Sequence, residues 1–389
     1  MSNDLELMLK DRVVMRINFD EAKYDVLNEK YLPFTMKNKI RPVVAFEQVK
    51  SHYDDVQRQI AIRHNYDVIL RFLASRVLPI TRENAKKVYA LFGFEQVQDE
   101  LSKAKISIVC RALSMRDNYW IRVSGDKATW DSVDLRKNSL SEAVAQVSLH
   151  GLSLTLQNKR DEALHTPELT GQGAYAKAWF REPSGLYLYK RGSNGTTEAK
   201  IEVMVSNLLD NCNVSHLKYE AGMSNDEYVC KCKCMTDDTI SILAGMDFDT
   251  YCNLNGIDAR AEALKVDPES IYKMWIVDYL ISNRDRHGLN WGFFYNCDTM
   301  EILGCHPLYD HNNAFDIPLM QDDDAEYLYD SSMTMKQAAM KAMDKVDFHF
   351  YREFTPEDFL TKRQYDSFMR RAKQLGIEVH NENPKPLAI

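Results

Sequence analysis

One short stretch, residues 283–290, most constrains the fold, because it separates a predicted helix from a predicted hairpin. The helix begins at Asp267, with a capping acid, a proline at the first helical position and an acid in the first turn. It continues as an apolar run to Leu280. After Asn290 the sequence alternates as a strand, turns and returns, and Asp310 follows about twenty residues later. This order predicts that Asp310 lies beside Asn290.

The spacing of acid and amide in this stretch is specific. Asp285 precedes Asn290 by five residues, the interval between the catalytic acid and the metal-binding amide of the protein-kinase loop. Asp285 would accept the proton of an attacking hydroxyl, while Asn290 and Asp310 would hold Mg²⁺. A charged turn is the alternative, and the hairpin with Asp310 argues against it. His287 either contacts the γ-phosphate or supports the loop through a backbone hydrogen bond, and the second interpretation is preferred.

The composition predicts two or three domains with hydrophobic cores. Of the 389 residues, 45% are hydrophobic and 11% are aromatic, which argues against disorder. A formal net charge of −8 does not favour nucleic acid as the main partner. The 8 cysteines are scattered, and the sequence contains neither a secretory segment nor an apolar run long enough for a membrane span. A reduced, cytoplasmic location without a membrane anchor is therefore expected.

A second part of the site is expected between residues 156 and 236. Gly171-Gln172-Gly173 is a small-residue loop of the kind whose backbone N–H groups approach the phosphates of ATP. The signal is weak, because the third glycine of the kinase loop is missing, and a plain hairpin turn explains it equally well. Lys190 ends the next predicted strand, where a lysine could reach the α- and β-phosphates. An exposed strand end is the alternative for Lys190.

The helix predicted after Lys190 supplies an acid that could hold this lysine. Glu198 and Glu202 share one face at i, i+4 spacing, and Glu202 is preferred because it lies beside the apolar stripe. A solvated glutamate is the alternative for each. Further along, the cysteines at alternate positions from Cys230 to Cys234 predict one face of a half-buried strand, in preference to a zinc site.

The remaining regions carry weaker signals. The first 155 residues contain no convincing catalytic set and are interpreted as an accessory region of helices and strands. Their most distinctive run, residues 117–121, predicts a turn entering a strand whose aromatic side chains pack in a core, with a docking surface as the alternative. The acidic run at residues 321–326 is interpreted as a solvated loop, with an activation-type segment as the alternative. A helix is expected over residues 355–375.

These motifs resemble those of the HipA-like kinases, which belong to the protein-kinase-like superfamily. Asp285-Arg286-His287-x-x-Asn290 is also the form of this loop in phosphoinositide-3-kinase-like enzymes, and the similarity is clearest from Thr166 to Phe315. The resemblance implies an α+β, bilobed protein-kinase-like fold with a β-rich N-lobe and a helical C-lobe. The chain would then divide into an N-terminal accessory region (residues 1–155), an N-lobe (156–236) and a C-lobe (237–389).

The same resemblance implies a serine/threonine protein kinase that uses ATP and Mg²⁺. Lys190 would be its phosphate lysine, and Thr166 or Thr170 would be autophosphorylated. Known members often pair with a small DNA-binding antitoxin, so a toxin role in a toxin–antitoxin or defence system is one expectation. The loop at Gly171 differs from that of the toxin, and the front region is longer. A small-molecule or lipid kinase on the same fold, and a non-catalytic nucleotide-binding scaffold, are open alternatives.

Overall fold

The computed structural model describes residues 4–94, 97–154, 164–192 and 197–380. The chain divides into two compact units. The first contains Met1–Leu188, Cys234–Ser241 and Asn296–Glu301, and the second contains Tyr189–Lys233, Ile242–Tyr295 and Ile302–Ile389. The boundaries of these two units differ from those of the three regions predicted from the sequence, and the division into three regions stays a prediction.

Strands and helices together build the first unit. Its strands are β1 (Asp4–Leu9), β2 (Arg12–Asn18), β3 (Lys23–Val26), β4 (Tyr119–Val123), β5 (Lys177–Glu182) and the first four residues of β6 (Gly185–Lys190), whose last two residues belong to the second unit. Its helices are α1 (His52–Ala74), α2 (Ala85–Leu91), α3 (Glu100–Val109), α4 (Trp130–Val133) and α5 (Glu142–His150). The first four strands form a sheet with the order β3-β2-β1-β4, in which β1 pairs antiparallel with both β2 and β4. Strands β5 and β6 are neighbours, and Lys190 ends β6.

The predicted turn and strand at residues 117–121 are confirmed. Strand β4 begins at Tyr119, and Trp120 lies opposite Met8 of β1 in the antiparallel register. Trp120 is fully buried, and its indole Nε1 donates to the carbonyl oxygen of Lys10 at 2.7 Å. A buried indole needs such a partner, because an unpaired N–H away from water is costly. The aromatic side chains of this run therefore pack in a core.

The second unit is rich in helices. In chain order its elements are α6 (Thr197–Leu209), β7 (Tyr219–Ser224), β8 (Glu227–Lys233), β9 (Ile240–Ala244), α7 (Gly245–Leu254), α8 (Ala259–Val266), α9 (Pro268–Leu280), β10 (Gly292–Asn296), β11 (Glu301–Cys305), α10 (Met335–Met343), β12 (His349–Phe350), α11 (Lys362–Leu375) and β13 (Glu378–Val379). Strands β7 and β8 form an antiparallel hairpin. Strands β9 to β11 form a sheet with the order β11-β10-β9, and most of its residues belong to this unit. The predicted α+β class is confirmed.

Several local predictions are confirmed in this unit. The Asp267 side chain caps α9 by accepting from the backbone N–H of Ser270 at 3.1 Å, and the helix ends at Leu280. Cys230 and Cys232 are buried on strand β8.

No helix in the described part of the chain combines the length and apolar character that a membrane crossing requires.

The helix predicted over residues 355–375 begins later than expected. Residues Pro356–Asp358 form only a short 3₁₀ turn, and α11 starts at Lys362. Thr361 and Gln364 form a reciprocal capping box, which satisfies two backbone N–H groups at the helix start. The sequence pattern favours the earlier start at Thr355 because two capping signals, one at Thr355 and one at Thr361, lie close together in the chain.

Candidate active site

A buried ion pair fixes the loop that follows α9. Asp278, in the last turn of α9, and Arg286 are both fully buried. The Arg286 guanidinium donates to both carboxylate oxygens, with Nε 3.0 Å from Oδ2 and Nη2 2.8 Å from Oδ1. Burial alone would lower the pKa of Arg286, but Asp278 outweighs this effect and raises that pKa above its ordinary value. A charged, bidentate pair therefore holds the loop.

Further hydrogen bonds to Asp278 carry this restraint to Asp285. The Tyr327 hydroxyl donates to Oδ2 of Asp278 at 2.6 Å, and Asn283 Nδ2 donates to Oδ1 at 2.9 Å. The Oδ1 atom of Asn283 in turn accepts the backbone N–H of Asp285 at 3.1 Å. The backbone position of Asp285 therefore depends on a buried carboxylate in α9.

Arg286 also joins the loop to the segment that carries Asp310. Its Nη1 donates to the carbonyl oxygen of Asn290 at 2.5 Å and to that of Tyr309 at 3.2 Å. The Tyr309 hydroxyl donates to the carbonyl oxygen of Leu289 at 2.5 Å. One guanidinium thus holds together the two segments that the helix–loop–hairpin order predicted to be neighbours.

Asp285 is partly exposed and has one carboxylate oxygen engaged. Its Oδ2 accepts from Asn313 Nδ2 at 2.8 Å. Its Oδ1 lies 3.7 Å from Nε2 of His287, which is too long for a hydrogen bond. His287 Nδ1 instead accepts the backbone N–H of Leu289 at 3.1 Å, the kind of supporting contact that the sequence favoured. Within the described residues, Oδ1 of Asp285 is the oxygen left to accept from a substrate hydroxyl.

Asn290 and Asp310 carry oxygen atoms suited to Mg²⁺. Asn290 is buried and its Nδ2 donates to the carbonyl oxygen of Asp285 at 2.8 Å. Its amide oxygen accepts no hydrogen bond from any residue that the structure describes. Asp310 has a left-handed backbone with φ of 60°, which Asp tolerates better than most residues. An amide oxygen and a carboxylate fit an ion that is completed by phosphates and water, although no three His, Cys, Asp or Glu side chains of the described chain form a metal cluster.

Lys190 is buried between two carboxylates and a phenol. Its Nζ donates to Oδ1 of Asp310 at 2.6 Å, to the Tyr219 hydroxyl at 2.9 Å and to Oε2 of Glu202 at 3.4 Å. The ammonium also lies 4.8 Å from the centroid of the Tyr219 ring. Burial alone would lower the pKa of Lys190, but Asp310 and Glu202 outweigh burial and hold that pKa well above its ordinary value. Lys190 is thus a buried cation and not an exposed strand end.

Glu202, the acid that the sequence preferred over Glu198, is the one that contacts Lys190. Glu202 is fully buried in α6, and its Oε1 accepts the backbone N–H of His311 at 2.9 Å. Burial raises the pKa of Glu202 against the opposing effect of Lys190. Burial and the nearby Arg286 hold the pKa of His311 well below its ordinary value, so its imidazole is neutral. All these residues belong to the second unit.

The glycine loop belongs to the first unit, where Arg82 holds it. Arg82 donates from Nη2 to the carbonyl oxygen of Gln172 at 2.9 Å and from Nε to that of Gly173 at 3.2 Å. Gly173 has a φ of 98°, a conformation that favours glycine. Burial lowers the pKa of Arg82 to about 10. A phosphate-binding role for Gly171, Gln172 and Gly173 stays a prediction.

Thr166 and Thr170, the predicted autophosphorylation residues, are both buried. The Thr166 hydroxyl donates to the carboxylate of Glu168, whose pKa is raised by burial. The Thr170 hydroxyl donates to the carbonyl oxygen of Pro167 at 3.3 Å. A kinase could reach either hydroxyl only after this turn opens, and autophosphorylation stays a prediction.

Sequence reasoning gave no role to three residues of the site, Arg286, Tyr219 and Asn313. Arg286 could have been found, because an aspartate inside an apolar run needs a buried cation, and Arg286 follows Asp278 by eight residues. Nothing in the local pattern marks Tyr219, which reaches Lys190 from a different strand. Asn313 lies in a loop without any periodic pattern.

Replacing Gly288 with alanine should destabilise the protein by about 1–3 kcal/mol, the usual cost of overpacking. A Cβ at this position would lie 2.8 Å from the backbone N of Met246, whose N–H donates to the Gly288 carbonyl at 2.7 Å. Backbone cannot move aside as cheaply as a side chain. Gly222→Ala is the matched control, since its Cβ would be 3.4 Å from Cγ2 of Val229, an ordinary contact. If chemical denaturation showed equal losses of unfolding free energy for Gly288→Ala and Gly222→Ala, the close backbone contact at Gly288 would not explain the result.

Comparison with known proteins finds similar chains among solved structures, and two of them are described. No protein-family model matches the chain, and no curated protein matches it. A chain from the HipA, HipB and operator DNA complex of a Shewanella oneidensis MR-1 toxin–antitoxin system is 10% identical, with a TM-score of 0.49 and coverage of 95% of both chains. The Helicobacter pylori proinflammatory kinase CtkA is 12% identical, with a TM-score of 0.37, covering 51% of this chain and 89% of that one. Both TM-scores are below 0.5, so the functional assignment depends on the contacts of the site itself.

Proposed function

We propose that this chain is a serine/threonine protein kinase that uses ATP and Mg²⁺. The observation that carries the proposal is the buried Lys190, bonded to both Glu202 and Asp310 in the same unit as Asp285 and Asn290. Protein kinases require a strand lysine paired with a helix glutamate, a metal-binding aspartate, and a loop acid five residues before a metal-binding asparagine. The strand lysine Lys190, the helix glutamate Glu202 and the loop residues Asp285, Asn290 and Asp310 are of the same types, which supports the proposal.

Asp285 is the residue proposed to accept the proton of the attacking hydroxyl. Its backbone is fixed through Asn283, and its Oδ2 is engaged by Asn313, so Oδ1 is oriented before substrate arrives. Lys190 would contact phosphate oxygens, with Glu202 keeping the ammonium in place. Catalysis would then come from orientation and from neutralising charge on the transferred group, as phosphoryl transfer generally requires.

Asn290 and Asp310 are the residues proposed to hold Mg²⁺, which neutralises charge on the phosphates when bound. A phosphate-binding role for the backbone N–H groups of Gly171, Gln172 and Gly173 is proposed from the sequence pattern of that loop alone. His287 would act indirectly, by supporting the loop through the backbone N–H of Leu289.

The resemblance of the sequence motifs to those of HipA-like kinases also leads to a proposal for the cellular role of the protein. It suggests a toxin role with a small antitoxin partner, and autophosphorylation at Thr166 or Thr170 as a switch. Because both hydroxyls are buried, such a switch would require the turn at residues 166–170 to open first. Mass spectrometry of the purified protein after incubation with ATP would detect either phosphothreonine.

The proposal is tested with γ-labelled ATP. The protein is incubated with host lysate proteins in one reaction and with metabolite and lipid extracts in another, with and without a chelator of divalent cations. Label on serine or threonine of a protein, lost on chelation, is the expected result. Label on a small molecule or lipid would instead support that class of kinase. ATP binding without transfer in every pool would overturn the proposal in favour of a scaffold.

A further inference from the structure

The segment that follows the site, residues 316–324, is anchored at both ends; it is called the anchored segment below. At its start, Oδ2 of Asp316 accepts from Nη1 of Arg284 at 2.8 Å, and Arg284 immediately precedes Asp285. At its other end the segment is held by α11. The acidic run at residues 321–326 is therefore not entirely a solvated loop, because its Asp323 accepts hydrogen bonds from α11.

Helix α11 presents one polar face to the anchored segment. Ser367, Arg370, Arg371 and Gln374 follow at i, i+3, i+4 and i+7, which places them on one side of the helix. All four donate hydrogen bonds to the segment. Ser367 Oγ and Arg370 Nη2 both donate to the Met320 carbonyl, at 3.3 Å and 2.9 Å. Arg371 Nη2 donates to the carbonyls of Leu319 and of Asp322 (3.3 Å), and Gln374 Nε2 donates to the Asp323 carboxylate at 2.9 Å. Two consecutive turns of α11 thus hold one loop.

The carboxylate of Asp323 lies at the centre of these contacts. Its Oδ2 accepts from Arg370 Nη1 at 2.6 Å as well as from Gln374. Its Oδ1 is buried and lies 3.6 Å from Nε of Arg371, an ion-pair distance that is too long for a hydrogen bond. Although burial opposes the shift, the hydrogen bonds from Arg370 and Gln374 lower the pKa of Asp323 to about 2. Two arginines and an amide therefore surround a stable negative charge.

Arg371 connects this arrangement to the catalytic loop. It is fully buried, its Nη1 donates to the carbonyl oxygen of Tyr279, and its guanidinium lies 4.5 Å from the centroid of the Tyr279 ring. Tyr279 follows Asp278, the residue that binds Arg286. The last turn of α9 thus carries adjacent attachment points for the catalytic loop and for the anchored segment.

In kinases regulated through their activation loop, a phosphate added to that loop pairs with arginines and orders it. Residues 316–326 of this chain contain no serine, threonine or tyrosine that could receive such a phosphate. Building on the kinase function proposed above, we propose that Asp323 takes the place of this phosphate, so that its ion pairs with Arg370 and Arg371 keep the anchored segment ordered for substrate binding without modification.

The neighbouring acids provide matched controls. Asp322 and Asp324 flank Asp323 and are both exposed. Neither forms an ion pair with a described residue, and Oδ1 of Asp322 accepts only the backbone N–H of Asp324 at 3.0 Å. Removing one of these two charges leaves the contacts of Asp323 in place.

The test compares Asp323→Asn with Asp322→Asn and Asp324→Asn in the full chain. In Asp323→Asn, amide hydrogen exchange in residues 317–324 should become faster by about tenfold or more, as expected when a charge-assisted pair is lost. The rate of phosphoryl transfer to protein should fall by about tenfold, while the Kd for ATP stays unchanged because the lysine site is untouched. Asp323→Glu should restore most of both losses, and the two control variants should behave like wild type.

The pH dependence of amide hydrogen exchange distinguishes a segment held by a carboxylate from one held by a phosphate. Because the pKa of Asp323 is depressed to about 2, its ion pairs contribute fully above the ordinary Asp pKa of about 4 and are lost only as pH falls toward the depressed value. A phosphate would begin to lose charge near its second pKa of about 6. Exchange in the segment, corrected for its intrinsic pH dependence, should therefore stay constant between about pH 8 and pH 5.

Failure of this inference and failure of the proposed function give different results. Unchanged exchange in the segment of Asp323→Asn would overturn the anchoring role, whether or not the protein transfers phosphate. Faster exchange with an unchanged transfer rate would overturn the link to catalysis. An absence of transfer in the wild type would count against the kinase proposal itself, and with it the comparison to an activation-loop phosphate.

Discussion

Replacing Asp285 with alanine should lower the rate of phosphoryl transfer by about 10²- to 10⁴-fold, the usual contribution of a positioned general base. The carboxylate has one oxygen engaged by Asn313 and the other free of hydrogen bonds from described residues, so its removal deletes the proposed proton acceptor. The side chain is partly exposed, and the loop is held mainly by Asp278 and Arg286. The variant should therefore keep the wild-type melting temperature and Kd for ATP.

Initial rates with γ-labelled ATP, calorimetry for ATP binding and thermal unfolding measure these three quantities together. Asp298→Ala is the control, since Asp298 is an exposed acid whose partner is Lys10 in the first unit. Wild-type turnover in Asp285→Ala would remove this residue from the mechanism. A large fall in melting temperature would mean that the residue acts on structure and not on chemistry.

Replacing Arg286 with leucine should cost about 3–5 kcal/mol of folding stability, the usual result of leaving a buried charge without its partner. The guanidinium and the Asp278 carboxylate are both completely buried, so no water can take over the lost hydrogen bonds. The carbonyls of Asn290 and Tyr309 would lose a donor in the same variant.

Arg284→Leu is the matched control two positions away. The Arg284 side chain is 63% exposed and pairs with Asp316, and such exposed pairs contribute about 1 kcal/mol or less. Urea unfolding of both variants gives the two free energies directly. Similar losses at positions 284 and 286 would show that burial does not distinguish these two arginines.

The sequence was most informative where the chemistry depends on short intervals along the chain. The five-residue interval from Asp285 to Asn290 and the following hairpin predicted neighbouring segments, and Arg286 is found bonded to carbonyls on both. The pairing of Lys190 with Glu202 followed from one strand and the helix after it. Their catalytic and binding roles stay predictions.

The sequence was least informative where a contact joins distant positions. Arg286 next to Asp285 looks like part of a charged turn, and its burial depends on the Tyr309 carbonyl as well as on Asp278. The polar face of α11 is similarly ambiguous, because Ser367, Arg370 and Gln374 are also what a solvated helix face contains. Only the packing against residues 319–323 makes that face an attachment surface.

The charge at Asp323 has a consequence for control of the protein in a cell. A phosphatase has nothing to remove from an aspartate, so a kinase and phosphatase pair cannot add or remove the charge at position 323. Each copy of the chain would have this segment ordered as soon as it folds. Regulation would then act elsewhere, on a modification at another site such as Thr166 or Thr170, or on the number of free copies.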